Sequence, residues 1–182
     1  GSVTVSDATV TATGGSARYA SYGLYVNPSS PSVSPSVTLS DNGSLTARSG
    51  TATNRAGGIY FQNPFGSTGS VTVGNGSTLL ANSVILRASS DEKPLAPTGD
   101  GSWLIYGQSD QSSAVGGNYT LEENITIESG NTLTIPAGST LTVPQGKTLT
   151  NNGTLNIANQ SSLAGEGTLA GNGTFNLTNP EP

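Results

Sequence analysis

The sequence contains no cysteine, no histidine and no methionine. Without cysteine there is no disulfide framework and no thiolate metal site. Without histidine there is no Ser-His-Asp triad, no imidazole base and no histidine-bound zinc. The sequence therefore excludes every enzyme class whose chemistry depends on a histidine or a cysteine side chain.

Charge is also scarce. Charged residues make up 9% of the 182 residues, with 6 Lys and Arg against 11 Asp and Glu, and the net charge is −5. Because phosphate binding needs clustered Lys and Arg, and the six here are scattered, we expect no nucleic-acid partner. No run of about 18 apolar residues occurs, so we expect no membrane insertion.

The fractions of charged and apolar residues are both low, and the sequence is correspondingly rich in glycine, serine, threonine and asparagine. Glycine alone occurs 25 times. This composition without cysteine is typical of exported Gram-positive proteins, so we expect an extracellular protein of the bacterial cell surface. The first residues, Gly1-Ser2, fit a native pair or the remnant of a tag. We expect a monomeric fragment of a larger protein.

The N-terminal part of the sequence repeats. The segment 3–7 recurs at 37–41 and at 71–75, a period of 34 residues. Each copy is followed by a second run rich in Thr and aliphatic residues, and the first two copies also by a third run. The second runs are 9–12, 44–47 and 78–81, and the third runs are 23–28 and 58–61. Three short strands per period are typical of one coil of a three-faced parallel β-helix.

The C-terminal part has a shorter rhythm. Strand-like triplets with an outward Thr recur every 8 residues, as at 125–127, 133–135 and 141–143, and are separated by Gly-containing turns. Three such units make a coil of about 20–24 residues, which we take as the minimum for a triangular solenoid of short strands.

Together the two rhythms predict an all-β fold, a right-handed parallel β-helix with three short strands per coil. Right-handedness follows from the general preference of parallel crossovers. A β-sandwich or mixed β domain is the alternative. We divide the solenoid into loop-bearing coils at 1–81, an irregular excursion or junction at 82–118, and short-repeat coils at 119–182.

Two stretches resemble the repeats of known modules. Residues 133–149, with their Leu-Thr-Ile and Leu-Thr-Val strands and Pro-x-Gly turns, resemble parallel β-helix repeats of large exported Gram-positive proteins. Residues 3–15 are similar to repeats of proteins described as carbohydrate-binding domains. The resemblance covers the chain outside 82–118 and implies a fold of the pectate-lyase-like superfamily, which includes lyases, glycosidases, adhesins and phage tailspikes. No catalytic motif of those enzymes carries over.

Tyrosines supply the candidate ligand-binding residues. Because the residues on either side of Tyr25 and Tyr60 are apolar, both rings should point outward on adjacent coils, as a platform for sugar rings. Tyr22 and Trp103 are the further candidates, and Tyr19 and Phe65 would extend the platform. The alternative is a satellite core, in which these rings pack beneath the loops 27–36 and 62–69.

Asp7 and Asp41 occupy matching corners of successive coils. An aspartate before a turn usually accepts backbone N–H bonds, and we favour that role. Half of a calcium site and a catalytic carboxylate pair are the alternatives. Calcium is the only cofactor that the sequence leaves open.

The sequence thus predicts a non-catalytic extracellular module of an adhesin-like protein, which binds a polysaccharide or host glycan, serves as a stalk, or does both. Two alternatives stay open. One is a purely structural spacer, and the other is a polysaccharide-active lyase or glycosidase. A lyase would use an arginine such as Arg18, Arg48, Arg55 or Arg87 as the base beside bound calcium, and the sequence offers no acidic cluster to hold that ion.

Overall fold

The computed structural model describes residues 1–28, 30, 32–63, 68–88, 91–107, 113–159 and 162–179. Over these residues the chain is all-β and has no α-helix, so no helix among them is long and apolar enough to cross a membrane. The chain divides into two compact units, Gly1–Gly101 and Ser102–Pro182. Each is built mainly from parallel strands, which confirms the all-β, parallel part of the prediction.

The first unit contains the strands β1 to β10. They are β1 (Ser2–Ser6), β2 (Thr9–Thr13), β3 (Ala20–Val26), β4 (Ser36–Ser40), β5 (Ser44–Arg48), β6 (Arg55–Asn63), β7 (Ser70–Val73), β8 (Thr78–Ala81), β9 (Val84–Ala88) and β10 (Asp91–Pro94). Three parallel arrays result, in the orders β1-β4-β7, β2-β5-β8 and β3-β6-β9, and β10 adds to β9 in antiparallel fashion.

The register of the first unit follows the sequence repeat. Val5 pairs with Leu39 and Leu39 with Val73, and all three are buried. Apolar residues alternate with outward Ser and Thr along these strands, so stacking buries one continuous apolar column. Each fully buried Val or Leu contributes about 1.5–3 kcal/mol. The predicted alignment of the three copies is confirmed residue by residue.

The segment 82–118 holds more regular structure than the sequence suggested. Its first part forms β9, which continues the array of β3 and β6 with Tyr60 beside Ile85. Only Asn82 and Ser83 separate β8 from β9, whereas a longer loop separates β2 from β3 and β5 from β6. Because that loop is missing, the 34-residue spacing fails there and hides the third strand of the third repeat.

The second unit contains the strands β11 to β21. They are β11 (Ser102–Ile105), β12 (Ser113–Gly116), β13 (Asn118–Thr120), β14 (Ile125–Ile127), β15 (Thr132–Ile135), β16 (Thr140–Thr142), β17 (Thr148–Asn151), β18 (Thr154–Asn159), β19 (Leu163–Ala164), β20 (Thr168–Ala170) and β21 (Thr174–Asn179). Parallel arrays run in the orders β12-β15-β18-β21, β13-β16-β19 and β14-β17-β20, and β11 pairs antiparallel with β12.

The short C-terminal rhythm places successive strands in different arrays. Leu133 pairs with Leu155 and Leu155 with Phe175, so one apolar column crosses three strands. The turns between strands depend on glycine. At Pro136–Ser139 the amide of Ser139 donates to the carbonyl of Pro136 at 3.1 Å, and Gly138 has a φ of 80°. A side chain at that φ is disfavoured, which explains the regular glycine punctuation.

Candidate functional site

Three tyrosine side chains of the first unit, Tyr22, Tyr25 and Tyr60, form a tyrosine cluster. The ring centroids are 4.4 Å apart for Tyr22 and Tyr60, 5.3 Å for Tyr22 and Tyr25, and 6.0 Å for Tyr25 and Tyr60. The planes of Tyr25 and Tyr60 differ by only 8°. At such separations an aromatic pair gains about 0.5–1.5 kcal/mol beyond the burial of its surface.

The register of β3 on β6 brings the cluster together. Tyr25 pairs directly with Tyr60, and the flanking Ile59 and Phe61 are fully buried. Since side chains alternate along a strand, both tyrosines lie on the opposite, outer face of the sheet. The predicted alignment of these two residues is therefore confirmed.

The two paired tyrosines differ in exposure. Tyr25 is 47% exposed, as the predicted platform requires, whereas Tyr60 is only 1% exposed. The expectation of an exposed ladder of both rings is wrong for Tyr60, because other side chains lie over it. The ring of Tyr25 is stacked on it, the ring of Tyr22 packs against it at a tilt, and its hydroxyl donates a hydrogen bond to Glu92 of β10.

A charged pair adjoins the buried ring. The hydroxyl of Tyr60 donates a hydrogen bond of 2.6 Å to Oε1 of Glu92, and Nε of Arg55 lies 2.7 Å from the same oxygen. Both charged side chains remain partly exposed, 40% for Arg55 and 35% for Glu92. An ion pair of this exposure is screened by water and contributes little stability by itself. Its effect is to hold the phenol of Tyr60 and to place polar groups at the margin of the aromatic surface.

Two tyrosines of the cluster have altered acidity. Burial, and then the hydrogen bond to Glu92 and its negative charge, raise the pKa of Tyr60 far above the usual value for tyrosine. Burial is also the main reason why the pKa of Tyr22 is raised, an effect that the positive charge of Arg55 opposes. Both phenols are therefore protonated, hydrogen-bonding groups at neutral pH.

Alkaline pH should destabilise the folded protein through Tyr60. Its pKa is raised on folding, so its contribution to stability is complete below the unfolded tyrosine pKa of about 10 and is lost as pH rises above that value. We expect the free energy of unfolding, measured in denaturant from pH 8 to 11.5, to fall less steeply above pH 10 in Tyr60→Phe than in the wild type. If the free energy of unfolding fell equally steeply with pH in both proteins, Tyr60 would not be the cause of the alkaline destabilisation.

The other predicted aromatic residues have separate surroundings. Tyr19 is exposed, and the guanidinium carbon of Arg18 lies 5.2 Å from the centre of its ring. Trp103 belongs to the second unit, where its register partner is Gly116 and its indole occupies the space that a Cβ on Gly116 would fill. Phe65 lies outside the described residues.

Sequence reasoning did not identify Glu92 or Arg55 as part of this site. Glu92 lies on β10, a strand with no counterpart in the repeat, and Arg55 begins β6 after a loop. Arg87, the register partner of Glu92, adds a third charge on this sheet. Its Nε is buried without a hydrogen-bond partner in the described part of the chain. The only sequence signal was the clustering of charges in 87–93, beside the break in the repeat.

Asp7 and Asp41 lie at turns with positive φ, 47° and 50°. The amide of Asp7 donates to the carbonyl of Asp41 at 3.0 Å. The carboxylate of Asp41 accepts hydrogen bonds from the hydroxyls of Ser6 at 2.8 Å and Ser40 at 3.1 Å. Both residues therefore lie at turns, as expected, but the donors to the carboxylate of Asp41 are hydroxyls rather than the expected backbone N–H groups. Among the described residues no three Asp or Glu side chains are grouped so that they could hold a metal ion.

Comparison of the chain with protein-family models, with curated proteins and with solved structures finds no match in any of the three. A function for the protein can therefore be inferred only from the geometry of the site. That geometry offers the exposed ring of Tyr25 on the outer face of a β-sheet, packed against Tyr22 and Tyr60 and with hydrogen-bonding groups nearby. Such a surface can bind a flat ligand that has one apolar side and polar edges.

Proposed function

We propose that the protein is a non-catalytic, extracellular carbohydrate-binding module of a bacterial surface protein, with the tyrosine cluster as its binding surface. The exposed ring of Tyr25, supported from below by Tyr60, is the observation that carries the proposal. A pyranose ring presents C–H groups on one face, and the electron-rich face of an aromatic ring attracts them. Hydroxyl groups at the sugar edge would bond to Arg55 and Glu92, which are both partly exposed.

Rigidity supports this assignment. Tyr60 is buried, anchored to Glu92 and paired with Ile85 and Tyr25 on neighbouring strands, so the ring of Tyr25 rests on a fixed base. A ring that is already immobile loses little conformational entropy on binding, and the affinity rises accordingly. Polysaccharides bind in this way without a deep pocket.

For the architecture we propose a right-handed parallel β-helix with three strands per coil. Successive strands of the first unit enter the arrays of β1, β2 and β3 in turn and then return to the first, and β4 to β9 repeat the order. The hand follows from the general preference of parallel crossovers. The second unit supports an additional role as a spacer, because outward Thr and Asn residues repeat along its strands.

A glycan array tests the binding proposal. The wild-type protein should bind one family of plant or mucin glycans, and Tyr25→Ala should weaken that binding by roughly one to two orders of magnitude, equal to about 1.4–3 kcal/mol. Tyr19→Ala is the matched control, since Tyr19 is also an exposed ring, stacks on Arg18 and lies outside the tyrosine cluster. It should bind nearly as well as the wild type.

Three outcomes contradict the proposal. They are the absence of binding to any glycan, binding that is unchanged in Tyr25→Ala, and turnover of polygalacturonate or another polysaccharide with calcium supplied. The first result would leave the spacer as the function. The third would establish an enzyme of the β-helix class.

A further inference from the structure

Among the described residues, most of the large exposed apolar side chains lie on strands at the edges of the sheets. The large ones are Val10, Tyr19, Tyr25, Val33, Leu169, Phe175 and Leu177. Tyr25 belongs to the tyrosine cluster described above, and four of the others lie on β2, β20 and β21. These three strands are the outermost members of their parallel arrays in the described part of the chain. Outermost parallel strands offer unpaired N–H and C=O groups and are prone to pair with another chain.

The edge of β21 is apolar because no described strand covers its inward residues. Phe175 continues the column of Leu133 and Leu155, yet it is 48% exposed whereas Leu155 is completely buried. Leu177 continues the column of Ile157 in the same way and is also exposed. One more strand in register would bury both side chains.

The other arrays of the second unit end similarly. A pocket of about 130 Å³ opens beside β19 and β20, the outermost strands of those arrays, and is lined in part by Val143, Leu163 and Leu169. All three arrays of this unit therefore present apolar side chains at one edge. Repeat proteins normally cover such an edge with a polar capping repeat.

A side-chain hydrogen bond joins register partners of β18 and β21 on the outer face of the sheet. Nδ2 of Asn176 donates to Oδ1 of Asn156, its register partner on β18, at 2.9 Å. A hydroxyl or amide at the same position of an added strand would continue this row. The occupant should therefore carry a polar residue opposite Asn176, flanked by two apolar ones.

The edge of β2 has this pattern. Residues 9–13 read Thr-Val-Thr-Ala-Thr and residues 174–178 read Thr-Phe-Asn-Leu-Thr. A parallel, in-register pairing places Phe175 beside Val10, Leu177 beside the small Ala12, and Asn176 beside Thr11. Val10 is itself 39% exposed.

We propose that the protein self-assembles head to tail, with β21 of one copy pairing in parallel with β2 of a second copy. This contact covers the exposed residues of both edges at once and continues the parallel hydrogen bonding of β18 with β21 and of β2 with β5. A tail-to-tail pairing of two β21 strands would be antiparallel and would leave Val10 exposed. Because the head-to-tail contact is heterologous, each added copy presents a new edge, and assembly continues beyond the dimer.

Sedimentation velocity over a concentration series tests this with two edge variants, Phe175→Asp and Val10→Lys. The wild type should form dimers and larger species with rising concentration, and each variant alone should stay monomeric. An equimolar mixture of the variants retains one functional contact, so it should form a dimer and nothing larger. Gln145→Asp and Asn75→Lys add the same charges at exposed turns and should assemble like the wild type.

Three results overturn the proposal: a wild type that remains monomeric at every concentration, a variant mixture that stays monomeric while the wild type assembles, and a dimer of Val10→Lys alone. The last would indicate tail-to-tail pairing. Circular dichroism establishes that each variant is folded.

A disulfide test does not depend on the charged variants. The chain has no cysteine, so Val10→Cys with Phe175→Cys in one chain introduces the only thiols. Neighbouring strands lie about 4.8 Å apart, within the range over which Cα atoms are bridged. Mild oxidation should then give a ladder of covalent multimers, and Phe175→Cys alone should give none. A dimer of Phe175→Cys alone, or no ladder from the double variant, contradicts the head-to-tail arrangement.

Discussion

Replacing Tyr60 with alanine is expected to lower the free energy of unfolding by about 3–5 kcal/mol and to abolish glycan binding. The ring is 1% exposed and packs against Tyr22 and Tyr25. Its removal leaves a cavity under both of the rings that would contact a sugar. It also removes the hydroxyl that donates a hydrogen bond to Glu92 of β10.

Tyr60→Phe is the matched control, because it keeps the ring and deletes only the hydroxyl. We expect a loss of about 1 kcal/mol at neutral pH, since Glu92 is partly exposed and keeps its ion pair with Arg55. Glycan binding should stay within a few-fold of the wild type, because the support beneath Tyr25 is preserved.

The measurement must follow the first unit separately. Tyr19, Tyr22, Tyr25 and Tyr60 lie in that unit, whereas Trp103 lies in the second. Tyr106 and Tyr119 also lie in the second unit, so in denaturant unfolding near-ultraviolet circular dichroism of tyrosine reports on both units with the larger share from the first, whereas tryptophan fluorescence reports on the second unit alone. Tyr60→Ala should shift the tyrosine transition most. Unchanged glycan binding in a folded Tyr60→Ala protein would show that the tyrosine cluster is not the binding surface.

The sequence predicts the strand register of this protein well. Val5, Leu39 and Val73 are aligned by the repeat alone, and the structure stacks them in one column. The reason is physical: with side chains alternating between faces, a shift of one residue would turn every apolar residue toward water. Tyr25 and Tyr60 are aligned by the same rule, so their contact could also be predicted.

The burial of Tyr60 could not be predicted in this way. It depends on Glu92, which lies on an antiparallel strand outside the repeat, and on Tyr22, which precedes the alternating part of β3. Likewise Arg55 and Glu92 are distant in sequence and meet only because β10 folds back on β9. The sequence repeat therefore predicts which strands pair. Tyr22, Arg55 and Glu92 lie outside the repeat, and their positions in the site cannot be predicted from it.

Substitution of Gly58 by alanine is the second large effect that we expect, a loss of about 3 kcal/mol or more in the free energy of unfolding. The sequence aligned Gly58 with Gly23, and the structure shows why no side chain fits at Gly58. A Cβ there would collide with the carbonyl oxygen of Ala47 and would lie 2.9 Å from that of Ser83. Both are backbone atoms: Ala47 lies within β5, and the carbonyl of Ser83 accepts a hydrogen bond from the amide of Ile59 at 2.9 Å, so neither can move aside cheaply.

The effect should reach the binding surface, because Gly58 directly precedes Ile59 and Tyr60 in β6. Its amide also donates to the hydroxyl of Ser83 at 3.1 Å, and a displaced backbone would lose this bond. We therefore expect Gly58→Ala to weaken glycan binding along with stability, even though Gly58 is buried and cannot touch a ligand.

Gly57→Ala provides the matched control one residue away. A Cβ at Gly57 would meet its nearest neighbour, the hydroxyl of Ser83, at 3.5 Å, an ordinary contact. Alanine there should change stability by no more than about 1 kcal/mol in either direction, because the reduced freedom of the unfolded chain offsets small losses. Both losses are measured from the tyrosine transition in denaturant. If the two substitutions destabilise the protein equally, the cost of Gly58→Ala comes from the lost backbone flexibility of glycine and not from a collision of the new Cβ with nearby backbone.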